Sequence, residues 1–373
     1  MKGKIGFVSI GQAGGNIGDL LAEKGYNVLA INTSKEDLAT LKFITHKYHV
    51  PNGLGCSKNR DTAKQAIASY FDSIVDQIDN FCKEDIIYFI FSAGGGTGSG
   101  LSPWLIDILI SDGLESEGDT PTKNYGVITI LPSDQESPRA RENAYACFSE
   151  LAAIEGLCNV FVLDNNKLQN PKTLNRIFVD LLDSTLEIPK KHKSSNGNVD
   201  LAEICKMFTT PGASVISITS GKTDDAKIVE KLRDGIFASI DSSSDNRFLS
   251  YLMSSTISPL DYKLFISEFG QYLDEYHTFN QNTNIVMLNG LGFPKERLDS
   301  MLQKVKTDAA QIKSGREHKK ASMTLDTMTS SLDDIEDTPV RKRPITQDTS
   351  SETSKNVVKS SRRDELLKRL QKR

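Results

Sequence analysis

Ser92-Ala93-Gly94-Gly95-Gly96-Thr97-Gly98-Ser99-Gly100 lies between an apolar run at 86–91 and a helical stretch at 101–110. Five glycines in nine residues, set between a buried strand and a helix, are hard to explain as an ordinary flexible turn. Without a Cβ the backbone can approach a ligand closely, and the amides that open a helix offer donors and a favourable dipole to an anion. Pro103 is tolerated near the first turn, where amides have no intrahelical acceptor. The stretch therefore predicts a phosphate cradle at the end of a strand, made by Gly94, Gly95, Gly96, Thr97 and Gly98.

Working outward, the first half of the chain alternates short β-rich apolar runs with helical stretches. The runs are at 5–10, 28–31, 86–91, 127–131 and 160–163; the helices are at 17–23, 62–80 and 139–154. Such alternation predicts an α/β fold with an open parallel sheet covered on both faces, which binds ligands at the carboxyl ends of its strands. A helix at 171–186 and a polar loop at 189–198 lead to a second α/β unit. That unit has strands expected at 214–219, 251–257 and 284–289, and helices at 224–240 and 261–276. The expected organisation is a Rossmann-like parallel-sheet domain at 1–164, a central helix and loop at 165–200, a smaller α/β domain at 201–293 and a charged helix at 294–321. Residues 322–373 are rich in Ser, Thr, Asp and Lys and poor in large apolar residues, so they read as a flexible tail. The tail ends in a short basic amphipathic helix near Leu366, Leu367 and Leu370.

The net charge of −4 hides an asymmetry. From Pro339 on there are eleven Lys/Arg against four Asp/Glu, so an acidic body precedes a basic tail that calls for a partner of its own. No window is apolar for long enough to span a membrane, and Met1-Lys2-Gly3-Lys4 runs straight into a strand rather than a signal peptide. Five cysteines without a Cys-x-x-Cys pair read as reduced thiols of a cytoplasmic protein. Two other nucleotide motifs fail. Ser220-Gly221-Lys222-Thr223 resembles the end of a P-loop but has Ile216 where that motif needs glycine. A dinucleotide site would want an acid after the second strand, where Asn32-Thr33-Ser34 stands, which counts against an oxidoreductase.

Further loops follow the glycine stretch in a set order. Gly11-Gln12-Ala13-Gly14-Gly15-Asn16 ends the first strand, and Gly197-Asn198-Val199-Asp200-Leu201-Ala202-Glu203 follows the central helix. With these loops the chain, over roughly residues 3–290, resembles the tubulin/FtsZ superfamily of polymerising GTPases. The resemblance implies GTP as ligand and Mg²⁺ as its counter-ion. It makes Gln12, Ala13, Gly14, Gly15 and Asn16 a first nucleotide loop. It also makes Gly53-Leu54-Gly55-Cys56-Ser57-Lys58-Asn59 a loop toward the terminal phosphate, through Ser57 and Lys58, although many relatives carry a small residue where Lys58 stands. Glu136 takes the place of the sugar-binding acid, with both Arg139 and Arg141 as candidate partners. Asn165 and Asn166 enter the central helix, and along it Asn175 and Phe178 are candidates for base recognition; plain core packing is the alternative for Phe178.

Asp200 and Glu203, three apart at a helix start, read in isolation as capping. The resemblance instead makes Asn198, Asp200 and Glu203 the catalytic segment, which one subunit presents to its neighbour's nucleotide. It thereby implies a head-to-tail filament of identical subunits. A non-catalytic scaffold would lack the acidic pair. The end of the chain lacks the proline- and phenylalanine-containing peptide of cell-division FtsZ and the acidic tail of eukaryotic tubulin. The basic tail is more similar to the TubZ branch, which segregates plasmid or phage DNA and whose tail engages a DNA-bound adaptor. An FtsZ-like division filament and a phage filament positioning viral DNA stand as alternatives. Direct contact of the tail with nucleic acid or an anionic membrane is the less favoured reading.

Overall fold

The computed structural model describes residues 1–51, 58–60, 63–64, 68–115, 123–195, 197–241, 248–280 and 282–322. The loop expectation at 53–57, Ser57 included, and the tail from 323 with its terminal helix lie outside the described residues. Residues 1–305 form one compact unit and 306–373 a second. In the second, residues 306–322 are helical.

In chain order, β1 (Ile5–Ile10), α1 (Gly11–Glu23), β2 (Asn27–Asn32), α2 (Lys35–Thr40), β3 (His46–His49) and α3 (Phe71–Phe81) come first. Then follow β4 (Ile86–Ser92), α4 (Thr97–Glu115), β5 (Asn124–Leu131), α5 (Pro138–Leu151), β6 (Asn159–Asp164), α6 (Pro171–Leu186) and α7 (Ile188–Lys191). The remainder comprises α8 (Leu201–Thr209), β7 (Gly212–Ser220), α9 (Asp225–Asp234), β8 (Phe248–Thr256), α10 (Tyr262–Phe269), β9 (Gln271–Phe279), β10 (Thr283–Leu291) and α11 (Lys295–Ser322).

The strands form a single ten-stranded sheet in the order β3-β2-β1-β4-β5-β6-β7-β10-β8-β9. Only β10 runs against the others, pairing antiparallel with β7 and β8. The two α/β halves thus share one sheet, joined where Asn159–Phe161 of β6 pair in parallel with Gly212–Ser214 of β7. One helix was expected at 261–276, but the structure divides that span. Asp261 caps α10 by accepting from the Lys263 and Leu264 amides, and Gly270 ends it at φ 94°. The chain then turns into β9, an edge strand whose Tyr251–Tyr276 rings stack across to β8. Its polar edge residues break the alternation that would mark a strand.

Helix α6 shows why a central helix forms at this point. Asn170 accepts from the Lys172 amide, Pro171 occupies the first turn, and Leu174, Phe178, Leu182 and Leu186 recur every four residues on the buried face. Phe178 meets Phe161 edge-on at 5.7 Å and Phe237 at 6.2 Å. Tyr88 on β4 donates to the Phe208 carbonyl at 2.8 Å, and its ring occupies the space beside Gly126, where any Cβ would lie within 2.5 Å of it.

Candidate functional site

The ends of β1, β2 and β4 and the loop after β5 converge on one cleft of about 320 Å³. Its floor is the glycine stretch: Gly94, Gly95, Gly96, Thr97 and Gly98 all line it, with Ile10, Gly11, Gln12 and Ala13 on one side. The cleft sits beside the β1–β4 pair, where the strand order reverses direction, as a doubly wound sheet requires. Helices α1 and α4 both start here, and neither carries an acidic residue in its first turn. No side chain caps α1, and Gly11 makes the bend from strand to helix at φ 72°. Two helix starts at one concavity offer backbone donors and a favourable dipole of the kind that suits an anion. The remaining wall adds Asn32, Thr33, Ser34 and Asp37 after β2, with Lys58 and Glu136 opposite. Thr33 and Thr97 touch through their hydroxyls at 3.3 Å, and the Asn32 amide donates to Asp37 at 3.1 Å.

The glycines divide by task. A Cβ on Gly14 would lie 2.1 Å from the Ile90 carbonyl oxygen, so this glycine lets α1 rest directly on β4. Gly15 faces the Leu41 side chain, and Asn16 is exposed beyond the cleft. A Cβ on Gly98 would press on Phe91 at 2.9 Å and on the Ile10 carbonyl at 3.2 Å. At Gly95 it would meet nothing closer than the Ser92 carbonyl at 3.5 Å. Gly95 alone of these four leaves its free side to the cleft.

Lys58 holds φ 62°, the one non-glycine residue with positive φ among the described residues. Its conformation is fixed by Asn143, whose side-chain amide donates to the carbonyls of Lys58 (2.9 Å), Gly95 (3.1 Å) and Gly94 (3.4 Å). Asn143 is buried on α5 among Ala140, Ala144 and Cys147. It escaped the sequence reading, although a polar residue on an otherwise apolar stripe was a usable signal.

The wall around Glu136 is built differently. One Glu136 carboxylate oxygen accepts from the Ser133 amide at 3.0 Å and from the Asn165 side chain at 3.2 Å. Asn166 accepts from the Asp134 amide at 2.8 Å. Arg141 is buried and donates to the carbonyls of Asp134 (3.0 Å) and Glu136, so it shapes the loop from beneath. Arg139 is exposed and lies 4.0 Å from Glu142. From α11, Arg297 donates to Asp164 and Asp134 (2.8 Å each) and to the Pro132 carbonyl (3.0 Å). Burial pushes the Asp134 carboxyl up, but the hydrogen bond and charge of Arg297, with Asn166 and Lys304, leave it below the ordinary range. Burial likewise pulls the guanidinium down, and its two carboxylates return it above its usual value.

Other candidate residues stand away from the cleft. Phe178 is fully buried in the aromatic core, which is the packing alternative. Asn175 is buried on the same helix and does not line the cleft. Asp200 and Glu203 form a reciprocal capping box at the start of α8, with 2.8 Å bonds in both directions. Asn198 folds back on its own loop, accepting from the Ser194 amide and donating to the Ser194 carbonyl. None of the three borders the cleft of its own chain, and Asp200 is exposed beside Leu201, an exposed large apolar residue.

Among the described residues no helix is long and apolar enough to cross a membrane, and no cluster of three His, Cys, Asp or Glu could hold a metal unaided. The Tubulin/FtsZ family GTPase domain matches residues 4–171. The tubulin-like protein TubZ of Clostridium botulinum C phage is 32% identical over 308 residues, spanning 81% of this chain and 82% of that protein. The solved structure of Clostridium botulinum phage c-st TubZ superposes with a TM-score of 0.74 at 30% identity, over 83% of this chain and 100% of that one. A GTPγS-form protofilament of Bacillus thuringiensis serovar israelensis TubZ shares the fold, with a TM-score of 0.70 at 18% identity over 86% and 94% of the two chains.

Proposed function

This chain belongs to the tubulin/FtsZ family of GTPases and is TubZ-like; on that premise we propose that it polymerises head to tail and hydrolyses GTP between subunits to move plasmid or phage DNA. The observation that carries this reading is a separation. The phosphate cradle and the acidic pair belong to one chain but do not meet in it. A site split in this way is completed only when one subunit's α8 start faces the next subunit's cleft. That contact is heterologous and repeats without closing, which gives a filament. The GTPγS-form protofilament of the Bacillus thuringiensis protein is consistent with such a repeat.

The phosphates lie against the first-turn amides of α1 and α4 and against Gly95 and Gly96. The sugar and base extend along the Glu136 side, toward Asn165 and Asn166. Magnesium ions use few carboxylates when substrate phosphates supply the other ligands. Asp37 and the Thr33 and Thr97 hydroxyls, all on this cleft, fit that need, and the ion would offset phosphate charge. Asp200 and Glu203 of the neighbour orient the attacking water. Each uses one carboxylate oxygen in the capping box and keeps the other for this task. Positioning and charge stabilisation do most of the work in such a transfer. The basic tail, set apart in composition from the body, captures a DNA-bound adaptor in the cytoplasm of a bacterium or, for a phage-encoded protein, of its host.

Asp200→Ala tests the shared site. GTP affinity and assembly should stay near wild type while phosphate release falls by about 100- to 10,000-fold. Filaments measured in the same sample should then persist. Normal hydrolysis in both Asp200→Ala and Glu203→Ala would sink the mechanism.

A further inference from the structure

The guanidinium of Arg297 bonds to both of the loops that bound the Glu136 side of the cleft. It reaches the Pro132 carbonyl and Asp134 on the loop after β5, and Asp164 at the end of β6. Its side chain is 12% exposed and that of Asp164 3%, so the pair is shielded from water and held by a fork that suits carboxylates. The two loops also exchange bonds of their own. Asn165 donates to Glu136, and Asn166 accepts from the Asp134 amide. Glu136 lines the cleft, whereas Arg297 does not.

Arg297 itself comes from α11, the helix that follows β10. That helix is seated separately: its first amides, Lys295 and Glu296, donate to Asp241. The arginine is therefore anchored independently of the loops it holds. Removing it would leave the buried Asp164 carboxylate without its cation, and Asp134 with only Lys304 at 3.5 Å.

We infer that Arg297 is a positioning residue that sets the sugar and base side of the nucleotide site, leaving the phosphate cradle to itself. The inference rests on reading the cleft as the GTP site. Its signature is selectivity between ligands. The cradle is backbone held by Asn143, and the Arg297 hydrogen bonds go to Pro132, Asp134 and Asp164 rather than to it, so a phosphate chain without a nucleoside should not sense the loss. GTP and GDP should.

The experiment compares wild type, Arg297→Ala and Asp134→Asn, each checked for folding by circular dichroism. Binding of fluorescent GTP is measured, with displacement by GTP, GDP and inorganic triphosphate. In Arg297→Ala, affinity for GTP and GDP should fall by about tenfold to a hundredfold, the scale of one lost charge-assisted network. Inorganic triphosphate should bind within about twofold of wild type. Asp134→Asn removes the charge from one arm of the fork at a half-exposed position while keeping an acceptor oxygen, so it should give the same selective pattern at smaller size. Should Arg297→Ala fail to fold, Asp134→Asn carries the comparison. Equal loss for nucleotide and triphosphate, or no loss for either in a folded variant, would overturn the positioning role. A wild-type protein that binds none of the three ligands would overturn the site assignment as well.

Discussion

The floor of the cleft and its Glu136 wall are made in opposite ways. The floor is a run of consecutive residues, Gly94–Gly98, whose backbone does the work and whose glycines keep side chains out. The wall is assembled from Pro132, Asp134, Glu136, Arg141, Asp164, Asn165, Asn166 and Arg297, spread over more than 160 residues and joined through side chains. A backbone floor tolerates no added volume but carries no charge to lose. A side-chain wall tolerates added volume better and depends on every charge being matched. Damage to the floor should therefore be steric and affect all ligands, and damage to the wall should be electrostatic and selective.

Gly95 and Gly98 give the largest expected contrast, since they lie three residues apart in the floor. Gly95→Val should fold, because its Cβ has only an ordinary contact with Ser92, and should lose GTP and inorganic triphosphate alike by at least about a hundredfold. Gly98→Val should instead unfold at lower temperature, because its Cβ meets β1 and β4 backbone and side chain from within the fold. Overpacking of this kind costs about 1–3 kcal/mol. Thermal melting and ligand titration on both proteins check the split. A Gly95→Val protein that binds triphosphate normally would remove the cradle.

Asn143→Ala is the next step down in size. It strips one amide from three carbonyls on two loops, so stability should fall by about 1–3 kcal/mol and Lys58 should leave its left-handed conformation. Because Asn143 supports the floor, triphosphate affinity should drop together with that of GTP, the opposite of the Arg297 pattern. Denaturant melts with parallel titration would show whether that holds.

The smallest effect concerns the loop carrying Asp200, which belongs to neither floor nor wall. His192 lies 2.7 Å from the Ser255 hydroxyl, and burial, then the charge of Lys191, hold its pKa below the ordinary 6.5. A base with a depressed folded pKa contributes stability that is present above its unfolded value and is lost as pH falls through the folded one. Melting temperature should thus be level above about pH 6.5 and decline modestly below it. In His192→Gln this part of the decline should disappear. An unchanged slope in the variant would show that the titration lies elsewhere.

These contrasts track what was legible in the chain. The glycine stretch, the strand–helix alternation and the start of α6 could be read locally, because helix caps, glycine clusters and apolar runs act through neighbouring residues. The end of α10 at Gly270 and the edge strand β9 are not legible locally, since a polar edge strand carries no alternating pattern. Phe178 was open between base stacking and packing, and the neighbouring Phe161 and Phe237 rings describe the packing environment.

By itself the sequence determined that the protein has a parallel α/β sheet with a glycine-rich stretch at its strand ends, and that an acidic pair follows a central helix. Only the tertiary structure decided which glycines face the cleft and which pack the sheet, that both halves share one ten-stranded sheet, and that Asn143 and Arg297 hold the site's two sides. The reason lies in range. Backbone geometry is set within a few residues, whereas a hydrogen bond from Arg297 to Asp164 spans 133 positions and exists only once the sheet has brought α11 to the end of β6.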